Sequence, residues 1–206
     1  MQKIDSSLSQ FKTRPVAPLV IVGKAGSNKS ALVGHWLKAG IVERVTIEPR
    51  GRALGVTYIT RDTEDPLYKQ SELTGRLAMM LAGREAELLV FESVSTGASD
   101  DLKRASELAI NMVGSLGFSD AFGLLSVAGV PKELLGPDIQ AAVLREARVL
   151  LEQAQATCQQ LLKANRAQLD ALAERLLERE VISGDELKGL LGARVSEQGF
   201  ASVQTG

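Results

Sequence analysis

The segment from Gly23 to Ser30 has the residue types and spacing of a phosphate-binding loop. It fits the pattern G-x-x-x-x-G-K-[ST] at Gly23, Lys29 and Ser30, but Asn28 stands where the second glycine belongs. That glycine lets backbone N–H groups close around phosphates, although asparagine tolerates positive φ better than most residues. The segment Leu88–Glu92 could serve as the acidic strand that helps to hold magnesium. A nucleotide-binding module is therefore one hypothesis.

The alternative for this segment is a loop rich in glycine and serine that caps the following helix, which carries Trp36. The rest of the chain is predicted to be helical where a nucleotide-binding fold needs further parallel strands. This argument favours the capping loop.

A second group of polar residues, Asp100 and Asp101, follows the small residues from Ser95 to Ser99. Such carboxylates could bind a metal ion, although oxygen ligands suit magnesium or calcium better than a water-activating zinc. They could also simply favour the dipole of a helix that Ser99 caps. The chain has one histidine, His35, whereas one common kind of catalytic zinc site uses two histidines and a carboxylate. One chain cannot build that site.

Three further segments match the motifs of a known family in order and at similar spacing. Val45–Thr57 follows V-T-I-x-P-R-G-x-A-L-G-V-T, Gly83–Phe91 follows G-R-x-A-E-x-L-V-F, and Thr96–Leu102 follows T-G-A-S-x-D-L. Residues in the C-terminal helices also match the family, so the resemblance extends over most of the chain, residues 31–191. The chain resembles the peptidase domain of the FtsH family of membrane-anchored, ATP-dependent zinc metallopeptidases, and several motifs in order are more specific than any one.

The resemblance implies where the zinc site of the family would fall. In the family, a helix with H-E-x-x-H stands ahead of A-L-V, its histidines bind zinc, and its glutamate is the general base. An ungapped alignment puts Gly26 and Ser30 at the histidine positions and Ser27 at the glutamate position. A three-residue insertion would instead put Gly23, Lys24 and Ser27 there. Both alignments lack the two histidines and the base.

The resemblance also assigns one metal position and one peptide position. The third zinc ligand of the family maps onto Asp101. Asp101 also has a sufficient structural role, because a carboxylate in the first turn of a helix interacts favourably with the helix dipole. In the family, the edge strand near A-L-G-V-T receives an extended peptide by strand addition. A peptide would then dock at Gly55, Val56 and Thr57, unless these residues only pair within the sheet.

The elements that position these residues are predicted to be mainly helical with a small β-sheet, an α+β class. Residues 45–60 have the alternation and turn residues of a small sheet. Helical spacing predicts a core helix over residues 71–82 with Ser71 as its cap, continued by Gly83–Glu87 with solvated or paired charges. The next helix, capped by Ser99, is predicted to bury Leu102, Ala105, Ala109, Met112 and Val113.

A long amphipathic helix is predicted from Ile139 to Leu161, beyond a loop rich in glycine and proline, and it buries Cys158. A second helix follows Asn165, and Ser183 caps a last short one. We expect residues 1–14 to be mobile, residues 15–191 to form the FtsH-peptidase-like domain with long helices from about 138, and residues 192–206 to be a loose tail.

Composition restricts the class of partner and the compartment. The balance of 24 basic against 25 acidic residues argues against nucleic acid or an anionic membrane surface. The longest apolar run, near Leu19–Val22, falls far short of the roughly 20 residues that span a bilayer, and no signal-peptide pattern precedes it. The single cysteine cannot form an internal disulfide. We therefore expect a soluble, cytoplasmic protein.

These observations predict a catalytically inactive relative of the FtsH peptidase domain that needs no cofactor and acts by binding a protein or an extended peptide. Because the chain begins about where that domain would, we expect the ATPase and membrane segments to be absent. A homo-oligomeric ring, a separate ATPase and an active homologue are the candidate partners. One alternative is an active metal-dependent peptidase with unconventional ligands such as Asp100 and Asp101, which would need zinc. The other is a nucleotide-binding module that depends on Lys29.

Overall fold

The computed structural model describes residues 41–47, 56–60 and 67–191. Predictions for residues 1–40, for Gly55 and for the tail from residue 192 lie outside the described residues. The element order is β1 (Ile41–Thr46), β2 (Val56–Thr60), α1 (Gln70–Phe91), α2 (Ser99–Gly114), α3 (Pro137–Ala164), α4 (Arg166–Arg179), β3 (Val181–Ser183) and α5 (Gly184–Leu191), with 3-10 turns at Thr96–Ala98, Val127–Gly129 and Lys132–Leu134. The prediction of a mainly helical chain with a small sheet is confirmed.

The sheet has the strand order β2-β1-β3, and both pairings are antiparallel. Thr46 is the partner of Val56 on one side and of Val181 on the other. The sheet predicted over residues 45–60 is confirmed by strands β1 and β2, although β1 begins at Ile41 and residues 48–55 lie outside the described residues. Strand β3 was not predicted, because three residues between two helices are too few to show an alternating pattern.

A β-bulge at Glu43 determines which residues of β1 face the core. The register with β2 shifts between Val42 and Arg44, so Glu43 is an extra residue in β1. Val42 and Val45 are both buried although they are three residues apart, a spacing that regular alternation would place on opposite faces. The bulge resolves this conflict and leaves Arg44 exposed.

The helical core lies where α1 and α2 pack against α3. Alanines supply much of this contact, and they allow the helices to approach closely because they carry only a methyl group. Large side chains fill the remaining space, including the fully buried Leu77, Met112 and Leu162. Buried alanines in these helices are Ala78, Ala82, Ala86, Ala105, Ala109, Ala147 and Ala154.

The long helix and the two helices after it follow the prediction. Helix α3 extends from Pro137 to Ala164 and buries Cys158, and α4 begins at Arg166 after Asn165. The cap of α5 is also confirmed, because the Ser183 hydroxyl oxygen accepts a hydrogen bond of 3.3 Å from the Glu186 N–H.

The two other predicted caps are wrong. Helix α1 begins at Gln70, so Ser71 lies inside it, and the Lys69 N–H donates to the Glu72 carboxylate at 2.9 Å. Helix α2 begins at Ser99 itself, which follows a 3-10 turn. Pattern reasoning fails here because the preceding turn already orders the chain, and Ser95 caps that turn by accepting from the Gly97 N–H.

The predicted buried stripe of α2 is confirmed at four positions and wrong at Leu102. Ala105, Ala109, Met112 and Val113 are buried, whereas Leu102 is exposed. Leu102 lies in the first part of α2, where residues 99–104 include no buried position. Periodicity gives the direction of a side chain, but it does not tell where the neighbouring helix ends.

No helix within residues 67–191 combines the length and the apolar run that a membrane crossing needs.

We predict that Gly184→Ala destabilises the fold by about 1–3 kcal/mol, because a Cβ at this buried position would collide with the Val42 carbonyl oxygen of β1. Gly189→Ala is the matched control in the same helix, since a Cβ there meets nothing within 4 Å. The control should be neutral or stabilising by up to about 1 kcal/mol. Urea unfolding of both variants measures the difference, and equal midpoints would contradict the close contact between α5 and β1.

Candidate functional site

Asp101 lies in the first turn of α2, together with Asp100. Asp101 is half-buried and Asp100 is exposed. Their positions in the first turn agree with the prediction, and negative charge there interacts favourably with the helix dipole. A structural reason for both carboxylates is therefore present in the fold.

Glu87 of α1 fixes the chain segment that leads to Asp101. Its carboxylate accepts hydrogen bonds from the Ser95 N–H at 2.8 Å and from the Ser95 hydroxyl at 3.1 Å. The Ser95 hydroxyl oxygen in turn accepts from the Gly97 N–H at 3.2 Å. The end of α1 is thus tied to the 3-10 turn before α2. Glu87 is 6% exposed, so solvation, one of the two predicted alternatives, is wrong at this position, and the carboxylate is instead buried and hydrogen-bonded.

Glu85 joins α1 to α3 and is also buried, with 2% of its surface exposed. Its two carboxylate oxygens accept hydrogen bonds from the Gln155 and Gln159 side-chain amides, at 2.8 Å and 2.7 Å. A buried carboxylate is tolerated only when hydrogen bonds replace its water. The sequence prediction of solvated or paired charges did not identify Glu85 as buried, because it used the residue type and not the facing helix.

Cys158 lies on α3 near Glu85, and it is fully buried. Removal from water raises the pKa of the Cys158 thiol well above its ordinary value, and the negative charge of Glu85 raises it further. The thiol therefore stays neutral at physiological pH. Because the thiolate is the nucleophile, Cys158 is a core residue and not a reactive one, as the helical stripe predicts.

The positions aligned with the zinc-binding motif do not have the side chains that zinc needs. Zinc in proteins binds thiolate, imidazole and carboxylate groups. Glycine offers no side-chain ligand at Gly26, and Ser27 and Ser30 offer neutral hydroxyls; all three lie outside the described residues. Within residues 41–47, 56–60 and 67–191, no three His, Cys, Asp or Glu side chains are grouped so that they could hold a metal ion. Asp101 and these residues do not fit the two-histidine site.

The backbone of the proposed peptide-binding residues lies in β2. Val56 pairs with Thr46 and Thr57 pairs with Val45, both in β1. Strand β1 is the middle strand, so β2 forms one edge of the sheet within the described residues. An edge strand has backbone N–H and C=O groups that a further strand can use. Gly55 lies outside the described residues.

The residues of the nucleotide-binding hypothesis, Gly23, Lys29 and Ser30, also lie outside the described residues. The second element of that hypothesis is wrong, because α1 continues to Phe91 and Glu92 is its C-cap. Residues 88–92 therefore do not form an acidic strand that could help to hold magnesium.

The bundle of α1, α2 and α3, the antiparallel sheet and the aspartate at the start of α2 agree with the resemblance to an FtsH-type peptidase domain. Comparison with known families agrees, because the model of peptidase family M41 matches residues 29–190. The chain belongs to peptidase family M41.

Individual relatives carry the same family assignment. The chain is 38% identical over 169 residues to "ATP-dependent zinc metalloprotease FtsH 2" of Symbiobacterium thermophilum, a match that covers 78% of this chain and 29% of the relative. It is 39% identical over 177 residues to "ATP-dependent zinc metalloprotease FtsH 4" of Synechocystis, which covers 79% of this chain and 28% of the relative. The chain thus spans less than a third of the length of these relatives.

We predict that Glu87→Ala loosens the turn before α2, since Ser95 then loses the acceptor of its N–H and hydroxyl groups. The expected cost is about 1–3 kcal/mol, typical for hydrogen bonds to a charged partner. Hydrogen exchange should become faster at the Ser95 and Gly97 amides.

Glu107→Ala is the control for this prediction. Glu107 is an exposed carboxylate on α2, 4.0 Å from the Lys103 ammonium, and such surface pairs contribute about 1 kcal/mol or less. Unchanged exchange at Ser95 in Glu87→Ala would contradict the anchoring role of Glu87.

Proposed function

We propose that this chain is a catalytically inactive peptidase domain of the FtsH type, and that it acts by binding and not by hydrolysis. The observation that carries the proposal is that 206 residues include one histidine, His35. Zinc peptidase chemistry needs two neutral imidazoles that hold the ion while leaving it acidic enough to activate water. A single imidazole cannot supply both ligands within one chain.

The residues at the motif positions support the same proposal. Gly26 and Ser30 replace the two ligands in the ungapped alignment, and Ser27 replaces the general base. A serine hydroxyl has no accessible basic form near neutral pH, so it does not substitute for a glutamate that takes a proton from water. Asp101 keeps a carboxylate at the third ligand position, but the first turn of α2 already gives it a structural role.

The surface that we propose for binding is the edge of β2 that pairs with no other strand among the described residues. A peptide in extended conformation would add a strand there and form main-chain hydrogen bonds with β2, the mode called β-augmentation. The strand is a suitable template because β1 holds it from one side, and β3 holds β1 in turn. Val56 and Thr57 would form part of the docking edge, with Gly55 beside them.

The family also suggests candidate protein partners that are larger than a peptide. The curated relatives are named ATP-dependent zinc metalloproteases, and this chain matches less than a third of their length. We propose a ring of copies, a separate ATPase or an active homologue as the assemblies in which a binding domain of this kind would act. We also propose a cytoplasmic location, on the ground that the single cysteine leaves no internal disulfide.

Proline substitution in β2 tests the docking edge. Alternate residues of a strand direct their backbone N–H groups to opposite neighbours, and proline has no N–H. Of Val56→Pro and Thr57→Pro, one should therefore lose a ladder bond to β1 and melt earlier. The other variant should melt at a temperature closer to that of the wild type. It should bind a fluorescent extended peptide at least about tenfold more weakly, because a hydrogen bond to the peptide is lost.

The same peptide, labelled at both ends, tests hydrolysis. We expect binding, measured by fluorescence anisotropy, without cleavage over hours. Cleavage that a zinc chelator abolishes would contradict the inactive domain. Wild-type affinity in both proline variants would contradict the β2 edge.

A further inference from the structure

Arg44 and Tyr58 form a cross-strand pair on the face of the sheet beside the β2 edge. They are register partners in β1 and β2, and the Arg44 guanidinium carbon lies 4.4 Å from the centroid of the Tyr58 ring. The bulge at Glu43 directs Arg44 to this face, because it returns Val42 to the core. Bulges commonly re-aim a side chain in this way next to functional sites.

The Arg44 guanidinium over the Tyr58 ring can direct its hydrogen-bond donors toward a ligand. A guanidinium contacts an aromatic ring through its flat face, whereas its five N–H donors point outward in its plane. Arg44 is exposed, and within residues 41–47, 56–60 and 67–191 its guanidinium has no ion pair with a carboxylate. The ring contact thus orients a positive charge whose donors can pair with a carboxylate in bidentate fashion.

We infer that the Arg44–Tyr58 pair makes the β2 edge selective for extended peptides that carry a glutamate opposite Tyr58. This inference rests on the proposed binding of a peptide at β2. A strand added to β2 places the residue opposite Tyr58 on the same face as Tyr58, within reach of its side chain. Its backbone then lies two strand spacings from β1, roughly 10 Å.

The distance between the strands favours glutamate over aspartate. Arg44 leans from β1 over the Tyr58 ring, so a carboxylate must extend toward it from the other side. Glutamate has one methylene more than aspartate and reaches further. A lysine at the same peptide position would be repelled by Arg44 and disfavoured.

The test uses a set of fluorescent extended peptides that differ at one position. At each position in turn the host peptide carries Glu, Asp, Gln or Lys, and affinity is measured by anisotropy with the full chain. At one position we expect Glu to bind about two- to fivefold more tightly than Gln, the range of exposed ion pairs. About 0.5 M salt should remove the preference by screening.

Variants of this chain assign the preference to Arg44. Arg44→Gln should reduce the Glu-to-Gln affinity ratio to about one, because the positive charge is lost. Arg44→Lys keeps the charge but loses the flat stacking face, and should retain only part of the preference. Arg104→Gln, an exposed position on α2, removes the same charge and should keep the full ratio. Thermal melting verifies that each variant is folded.

Each outcome either supports or overturns the inference. Equal binding of Glu and Gln peptides, or a preference that survives Arg44→Gln, would overturn the role of the pair while leaving peptide binding at β2 in place. If no peptide of the set binds the wild-type chain, the proposed function fails, and the inference fails with it.

Discussion

Two buried carboxylates on α1 link this helix to α3 and to the turn before α2. Glu85 and Glu87 are two residues apart, so they point about 200° apart around the helix. Glu85 faces α3 and is held by two glutamine amides, whereas Glu87 reaches the turn that leads into α2. A carboxylate removed from water needs such partners in defined positions. These two side chains therefore add directional hydrogen bonds to the apolar packing that positions α2 and α3 against α1.

The sheet depends on a different constraint, the close approach of backbones at its base. Gly184 starts α5 directly against the carbonyl of Val42, and no larger residue fits there. Strand β3 ends at the residue before it and pairs with β1. Strand β1 thus lies between β3 and β2, and β2 is the outer strand of the described sheet. Gly184 permits the close approach of α5 to β1 at the base of this sheet.

Hydrophobic periodicity was sufficient to predict the helices of the described chain, because long repeats such as Ile139–Leu161 have one clear period. Periodicity was not sufficient to predict which charged side chains are buried. The residue types of Glu85 and Glu87 indicate solvent, and only the facing side chains show that both are hydrogen-bonded inside the fold. In the sheet, by contrast, the motif in Val45–Thr57 correctly indicated where β2 lies. The Arg44–Tyr58 pair depends on the bulge at Glu43, which follows from tertiary packing and has no local signal.

Loss of zinc chemistry is the central claim, and metal content tests it most directly. The full chain, purified without a histidine tag, is analysed by plasma mass spectrometry beside Asp101→Ala, which removes the one carboxylate at a family ligand position. The account predicts no more zinc in the wild-type chain than in the variant. About one zinc per chain in the wild type, lost in Asp101→Ala, would contradict it, because a metal site would then exist with other ligands.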